Sequence, residues 1–193
     1  MANRNTQGFG LIPAGTLGST PATAGQGKYK IDAGYGTTIY NGGAVASSAG
    51  YIVEGQGTDT PILGVLNGIF YNAATTLKPT FANFYKQPIT PANSEDIDAF
   101  VYDNPQQLYV VATDATAAQS VYLETFDMNV SAGSDTTGKS SATLDIGDTS
   151  ADAASWRLLR SAEDPENDEN AANRSVIVCQ NLNQYLTNAV SWQ

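Results

Sequence analysis

The chain has 193 residues, of which 41% are apolar and only 15% charged, and nineteen acidic against nine basic residues give a formal net charge of −10. That length supports one domain with a real core. The acidity and the lack of any Lys/Arg cluster argue against nucleic acid and anionic membrane as direct partners, since phosphates are met by Lys and Arg. No His and a single Cys leave zinc sites and His-based catalytic triads without ligands or bases. A polar surface built from Gly, Ser, Thr, Asn and Gln suits strands and turns, whereas surface helices need Glu, Lys and Arg. The fold class expected is all-β, a single barrel or sandwich of antiparallel strands with few short helical turns.

In chain order, residues 1–27 carry almost no apolar periodicity apart from the island Phe9-Gly10-Leu11-Ile12-Pro13. Alone, such a segment buries too little to offset its ordering entropy. It reads as an extended N-terminal arm that orders against something else, followed by a β domain over 28–193. Tyr29–Ile31, Thr37–Tyr40 and Tyr51–Val53 are short strand-like runs separated by Gly34-Tyr35-Gly36, Asn41-Gly42-Gly43 and Ser48-Ala49-Gly50. Ile62–Tyr71 is the longest apolar stretch of the first half, and its Gly64 and Gly68 point to bulges or close backbone approach in a strand. Thr75–Ser94, with Pro79, Pro88 and Pro91, reads as a long loop whose Phe81, Phe84 and Tyr85 cap a core end.

The centre of the pattern is Ala99–Thr113. Ala99–Tyr102 and Leu108–Ala112 are apolar on both alternating faces and flank Asp103-Asn104-Pro105-Gln106, where Asp and Asn bond their own backbone and Pro lacks a donor. This predicts a hairpin covered on both faces, with Ile62–Tyr71 and Val176–Cys179 as the strands apolar enough to cover it. Asp114–Gln119 suggests one helical turn, and Ala151–Ala154 a short helical start. Phe126–Val130 alternates like a half-exposed strand, and Ala142–Ile146 and Trp156–Arg160 are further strands. Glu163–Asn170 is a solvated acidic loop, and Cys179, within Val176–Cys179, is a buried structural thiol.

One motif matches a phosphate-loop pattern: Gly133-Ser-Asp-Thr-Thr-Gly138-Lys139-Ser140 satisfies G-x-x-x-x-G-K-[ST]. A phosphate loop leaves a buried parallel strand and opens a helix whose N-terminus completes the anion site. Here the residues that follow alternate like a strand, so a surface loop is the better reading. The acidic loop lacks calcium-loop spacing and is broken by Pro165. Asp103, near Asp96 and Asp98, is explained by turn chemistry rather than as half of a carboxylate pair. Asn129-Val-Ser131 and Asn173-Arg-Ser175 match the glycosylation pattern, but no secretory leader and no apolar run of membrane length precede or accompany them. No catalytic constellation and no cofactor site emerge, and synthesis in a cytoplasm is expected.

The order of these pieces resembles the small capsid decoration (cement) proteins of tailed bacteriophages. The similarity runs from Asn3-Arg4-Asn5 to Gly8–Pro13, through Tyr29–Ile31, Gly34–Tyr40 and Gly64–Tyr71, to Ala99-Phe-Val-Tyr-Asp103-Asn104-Pro105. It continues with Thr137–Ser140, Asp164–Asn167 and Val176–Val178. The resemblance implies a non-enzymatic virion protein, made in the host cytoplasm, that binds the outer face of an icosahedral capsid. Its partners would be the major capsid protein and further copies of itself, as a homotrimer or homodimer. Phe9, Leu11, Ile12, Pro13 and Tyr29 are the residues expected to meet the capsid or a neighbouring subunit. The alternative class is a β-sandwich adhesin or carbohydrate-binding module stacking sugars on Tyr85, Tyr102, Trp156 or Trp192.

Overall fold

The computed structural model describes residues 7–18, 25–55, 60–130, 133–147, 154–163, 165–168 and 170–186. One antiparallel sheet has the order β1-β8-β13-β12-β9, built from β1 (Ile12–Thr16), β8 (Gln107–Ala112), β13 (Ser175–Gln180), β12 (Trp156–Ser161) and β9 (Thr125–Phe126). The second has the order β2-β7-β5-β3-β4, from β2 (Gly27–Ile31), β7 (Ile97–Tyr102), β5 (Gly64–Asn72), β3 (Ala44–Ser48) and β4 (Tyr51–Glu54). A further strand, β6 (Pro79–Ala82), joins β5 along its second half. A two-stranded ribbon of β10 (Met128–Asn129) and β11 (Thr143–Leu144) completes the strands among the described residues. The sheets do not close on themselves, so of barrel and sandwich the structure takes the sandwich-like form. Helical structure among the described residues is confined to 3-10 turns at Ala92–Ser94 and Gln119–Val121.

The core follows from alternation. On β8, Tyr109 and Val111 turn inward to meet Val176 and Val178 of β13 and Trp156 and Leu158 of β12, while Ala44 and Val65 come from the second sheet. Tyr109 packs edge-on to Trp156 at 5.7 Å, and its hydroxyl donates to the Tyr102 carbonyl at 3.0 Å. That hydrogen bond gives the buried phenol its partner. The second sheet has another apolar face as well. Ile31, Val45, Ile52, Leu66, Ile69, Ile97 and Val101 form a separate core, covered by Ile39 and Tyr85 from the long connections. Tyr85 is held there by a backbone bridge to Ile39 and by its hydroxyl on the Tyr35 carbonyl at 2.6 Å.

Several expectations change here: Thr37–Tyr40 makes only an isolated bridge at Ile39, Asp114–Ala118 is not helical, and Phe81 stands 65% exposed on β6 rather than capping a core; residues 151–153 of the expected helical start at Ala151–Ala154 lie outside the described residues. Two further changes bear on the site. β7 and β8 do not pair: they lie in different sheets, and Asp103–Gln106 carries the chain from one sheet to the other. The turn chemistry is as expected, with the Gln106 amide on Asn104 Oδ1 at 2.9 Å and the Gln107 amide on the Asn104 carbonyl at 3.0 Å. The pairing differs because each strand has one face in a core and one half covered, a pattern that an inter-sheet crossing produces as readily as a covered hairpin. Accordingly β5 and β13 lie beside β7 and β8 as ladder partners rather than over them. The other change is in the arm. Residues 12–16 are an edge strand, with Ile12 opposite Val110 and Pro13 opposite Tyr109, so this part of the arm is ordered by the domain itself.

Candidate functional site

The arm enters the fold through two glycines. Gly10 and Gly42 both take positive φ, 74° and 78°, a conformation that side chains with a Cβ avoid. The turn lets the Leu11 amide donate to the Gly42 carbonyl at 2.8 Å and the Gly10 amide to the Ala142 carbonyl at 3.2 Å. Leu11 is thereby driven into the sandwich core at 2% exposure, whereas the next residue, Ile12, stands 48% exposed. Ile12 faces away from the core in register with half-buried Val110, which is itself opposite Ile177. An apolar row therefore runs across the outer face of the sheet to its β1 edge, and Leu17, at the end of β1, is 41% exposed.

Beside this edge is a cleft of about 200 Å³. Phe9, Leu11, Ile12 and Pro13 line it from the arm, and Asn41, Asn67, Tyr102 and Lys139 line it from the domain. Four of the five residues expected at a partner contact thus share one cleft, although Leu11 reaches it only as a member of the core. Asn67 is there because β5 bulges between Leu66 and Gly68, and Asn41 is tied to it by a side-chain amide on the Asn67 carbonyl at 2.5 Å.

Lys139 comes from the loop that matched the phosphate-loop pattern. In that loop the amides of Ser134 and Gly138 donate to the carbonyls of Lys139 and Ser134 at 2.9 and 2.6 Å, and the Ser140 amide donates to the Asn41 carbonyl at 2.9 Å. The Thr137 and Lys139 amides reach the hydroxyls of Ser134 and Thr137 at 3.4 Å. A phosphate cradle works by presenting free backbone N–H groups; these are turned inward on protein acceptors. The chain then enters β11 rather than a helix. The loop holds Lys139 in place, and its exposed ammonium has no carboxylate partner among the described residues.

Other cations are spent differently. Lys28 and Lys30 both meet Asp98, at 2.7 and 2.6 Å, Lys86 meets Asp135 at 2.9 Å, and Arg160 meets Glu163 at 3.2 Å. Burial works to raise the Asp98 carboxyl, but hydrogen bonds from the two lysines outweigh it and hold the group below the usual carboxylate range.

Tyr29, the fifth expected contact residue, lies apart from the cleft. Its hydroxyl donates to Asp103 Oδ2 at 2.5 Å and also meets the Tyr185 hydroxyl. Burial, then the Asp103 hydrogen bond, pushes this phenol well above its ordinary range. Tyr29 fastens β2 to the crossing turn. Of the residues named for sugar stacking, Tyr85 and Trp156 are buried in the two cores and Tyr102 is half-buried in the cleft; Trp192 lies outside the described residues. Cys179 is buried and its thiol is pushed up by that burial. Among the described residues no group of three or more His, Cys, Asp or Glu is placed to hold a metal ion, and no helix is long and apolar enough to cross a membrane.

Lys139, Asn41 and Asn67 were not foreseen as cleft residues. Lys139 carries a sequence signal, the phosphate-loop match, which the strand-like residues after it assign to a surface loop without placing that loop beside the arm. The other two depend on a bulge and a loop contact that no local pattern encodes.

The fold and its edge thus define an all-β, two-sheet sandwich with a cleft beside one terminal strand. No protein-family model matches this chain, no curated protein matches its sequence, and no solved structure matches its fold.

Proposed function

We propose that this protein is a structural virion component that binds the outer surface of an icosahedral phage capsid and stabilises it by bridging major capsid protein subunits. The observation that carries the reading is the exposed apolar row at an ordered sheet edge: Ile12 at 48% and Leu17 at 41% exposure, beside Pro13 and continuous with Val110. The resemblance of the motif order to capsid decoration proteins supplies the class of partner. A rigid sandwich presenting this apolar strip along a sheet edge suits a lattice of identical sites. Each contact can be modest, and a copy that is itself a trimer or dimer engages several sites at once, which raises overall avidity by about 10²–10⁴ over a single contact.

Because β1 is a strand of the sandwich, deleting the whole arm would remove structure along with any contact, so a point substitution is the cleaner test. Ile12→Asp places a charge on the strip at a half-exposed position. Co-sedimentation of the full chain with expanded capsids should fall at least tenfold in half-saturation, with the melting temperature kept within a few degrees. Unchanged capsid binding by a folded Ile12→Asp protein would remove the edge from the interface.

A further inference from the structure

We infer that the cleft beside β1 receives a carboxylate carried on an extended, otherwise apolar segment of the partner, with Lys139 as its counter-charge. The inference rests on the capsid-binding reading and names the chemistry of the segment that reaches this site.

Charge complementarity supplies the first argument. In a chain of net charge −10, three of the other four lysines, Lys28, Lys30 and Lys86, pair with a carboxylate within the fold. Lys139 does not, although its backbone is fixed on both sides: the Asn41 amide donates to the Gly138 carbonyl at 2.9 Å and the Ser140 amide to the Asn41 carbonyl at 2.9 Å. Lys139 thus lines the cleft from a loop whose backbone is pinned, without a carboxylate partner among the described residues, and its charge is available to an anion from outside.

The rest of the cleft narrows the kind of anion. Phe9, Ile12 and Pro13 supply apolar surface on one side and Tyr102 and Asn67 supply half-buried polar-edged surface on the other. A free phosphate has little use for that apolar surface and finds no free cradle in the loop, whose Ser134, Thr137, Gly138, Lys139 and Ser140 amides are taken. A Glu or Asp side chain flanked by apolar residues uses both. The cleft borders β1, the terminal strand of its sheet, and the run Ile12-Pro13-Ala14-Gly15 carries no charge; Pro13 and the bulge between Pro13 and Gly15 blunt that edge against backbone pairing, so the segment is met by side chains.

The test uses the full-length chain on expanded capsids, measuring half-saturation by co-sedimentation from about 50 to 300 mM NaCl, where screening separates an ion pair from apolar contact. Lys139→Gln should weaken binding about fivefold to tenfold at low salt and flatten the salt dependence; Lys139→Glu should weaken it further, and Lys139→Arg should keep it. Lys78→Glu changes the other lysine without a carboxylate partner among the described residues, which does not line the cleft, and should leave binding within twofold of wild type. Adding about 10 mM inorganic phosphate at constant ionic strength should change nothing. If wild type binds capsids and Lys139→Gln and Lys139→Glu match it at every salt concentration, this inference is wrong and the capsid reading stands. If phosphate lowers wild-type binding to the Lys139→Gln level, the carboxylate assignment is wrong. If wild type itself fails to co-sediment, both readings fall together.

Discussion

Leu11 decides what the arm is. As a strand of the sandwich, it should make Leu11→Ala costly, because the side chain is 2% exposed and shares a core with Tyr109, Val111 and Val178. Truncating a buried leucine loses transfer free energy and leaves a cavity, together about 2–5 kcal/mol. The site lies just before an edge strand with β8 as its ladder partner, so the surroundings can partly collapse and the low end, about 2–3 kcal/mol, is the better figure. For a chain of this size each kcal/mol moves the midpoint roughly 2–4 °C, so Tm should fall about 5–10 °C. Ile12→Ala is the internal control: the neighbouring side chain is half exposed, and its truncation should cost no more than about 1 kcal/mol. Urea unfolding followed by intrinsic fluorescence, with buried Trp156 reporting on the core, gives both values from midpoints at a common slope. Equal midpoints for the two variants would mean that the arm is undocked and that the strand pairing of residues 12–16 contributes nothing to the fold.

The remaining stability predictions concern polar devices. Asp98 has a lowered pKa in the fold, so its contribution is present above the unfolded value near about 4 and is lost as pH falls through the lower folded value. Asp98→Asn should therefore flatten the acid limb of a stability–pH curve below about pH 4; an unchanged limb would mean that Lys28 and Lys30 do not hold the carboxylate in solution. Asn167 donates to the Ser175 and Ala162 carbonyls at 2.8 and 3.1 Å and accepts the Ser175 amide at 2.9 Å. The two carbonyls keep the Ala162 amide and the Ser161 hydroxyl as donors, so Asn167→Ala chiefly removes the acceptor of the Ser175 amide and should cost about 1–3 kcal/mol in urea unfolding, whereas a cost near zero would show that water replaces the side chain.

Much of the architecture was legible because burial enforces alternation. Strands β2, β4, β5, β7, β8, β12 and β13 all fall on runs rich in β-branched and aromatic residues, and the all-β class followed from a surface polar without charge. The strands that escaped have weak signals for identifiable reasons. β3 is Ala44-Val45-Ala46-Ser47-Ser48, small residues with little strand preference, and its hairpin to β4 turns on Ala49 and Gly50, both at positive φ, 50° and 86°. Such a turn matches the twist of the flanking strands; the turn at Ser48-Ala49-Gly50 is legible from Gly50, while the strand before it is not. β6 hides in a proline-containing stretch because its neighbour β5, not its own composition, makes it a strand.

The site was legible to a different degree. Residues 9–13 stood out as an apolar island in a polar segment, and that is why they matter: an edge strand needs one residue to anchor it and leaves the next for a partner. Leu11 and Ile12 divide those roles because a strand alternates its side chains. The sequence shows the island but not the division, which depends on which face β8 presents. Lys139 stands out through a phosphate-loop match that the sequence context already sets aside, and the structure agrees, since a glycine-rich loop with a lysine is a phosphate signal only when its amides are free. Here those amides close the loop on itself and on Asn41, and the same closure that removes the phosphate cradle fixes the backbone of Lys139 beside the cleft it lines. The residue composition of the loop is therefore informative about charge and position, and its hydrogen bonding decides what that charge is offered to.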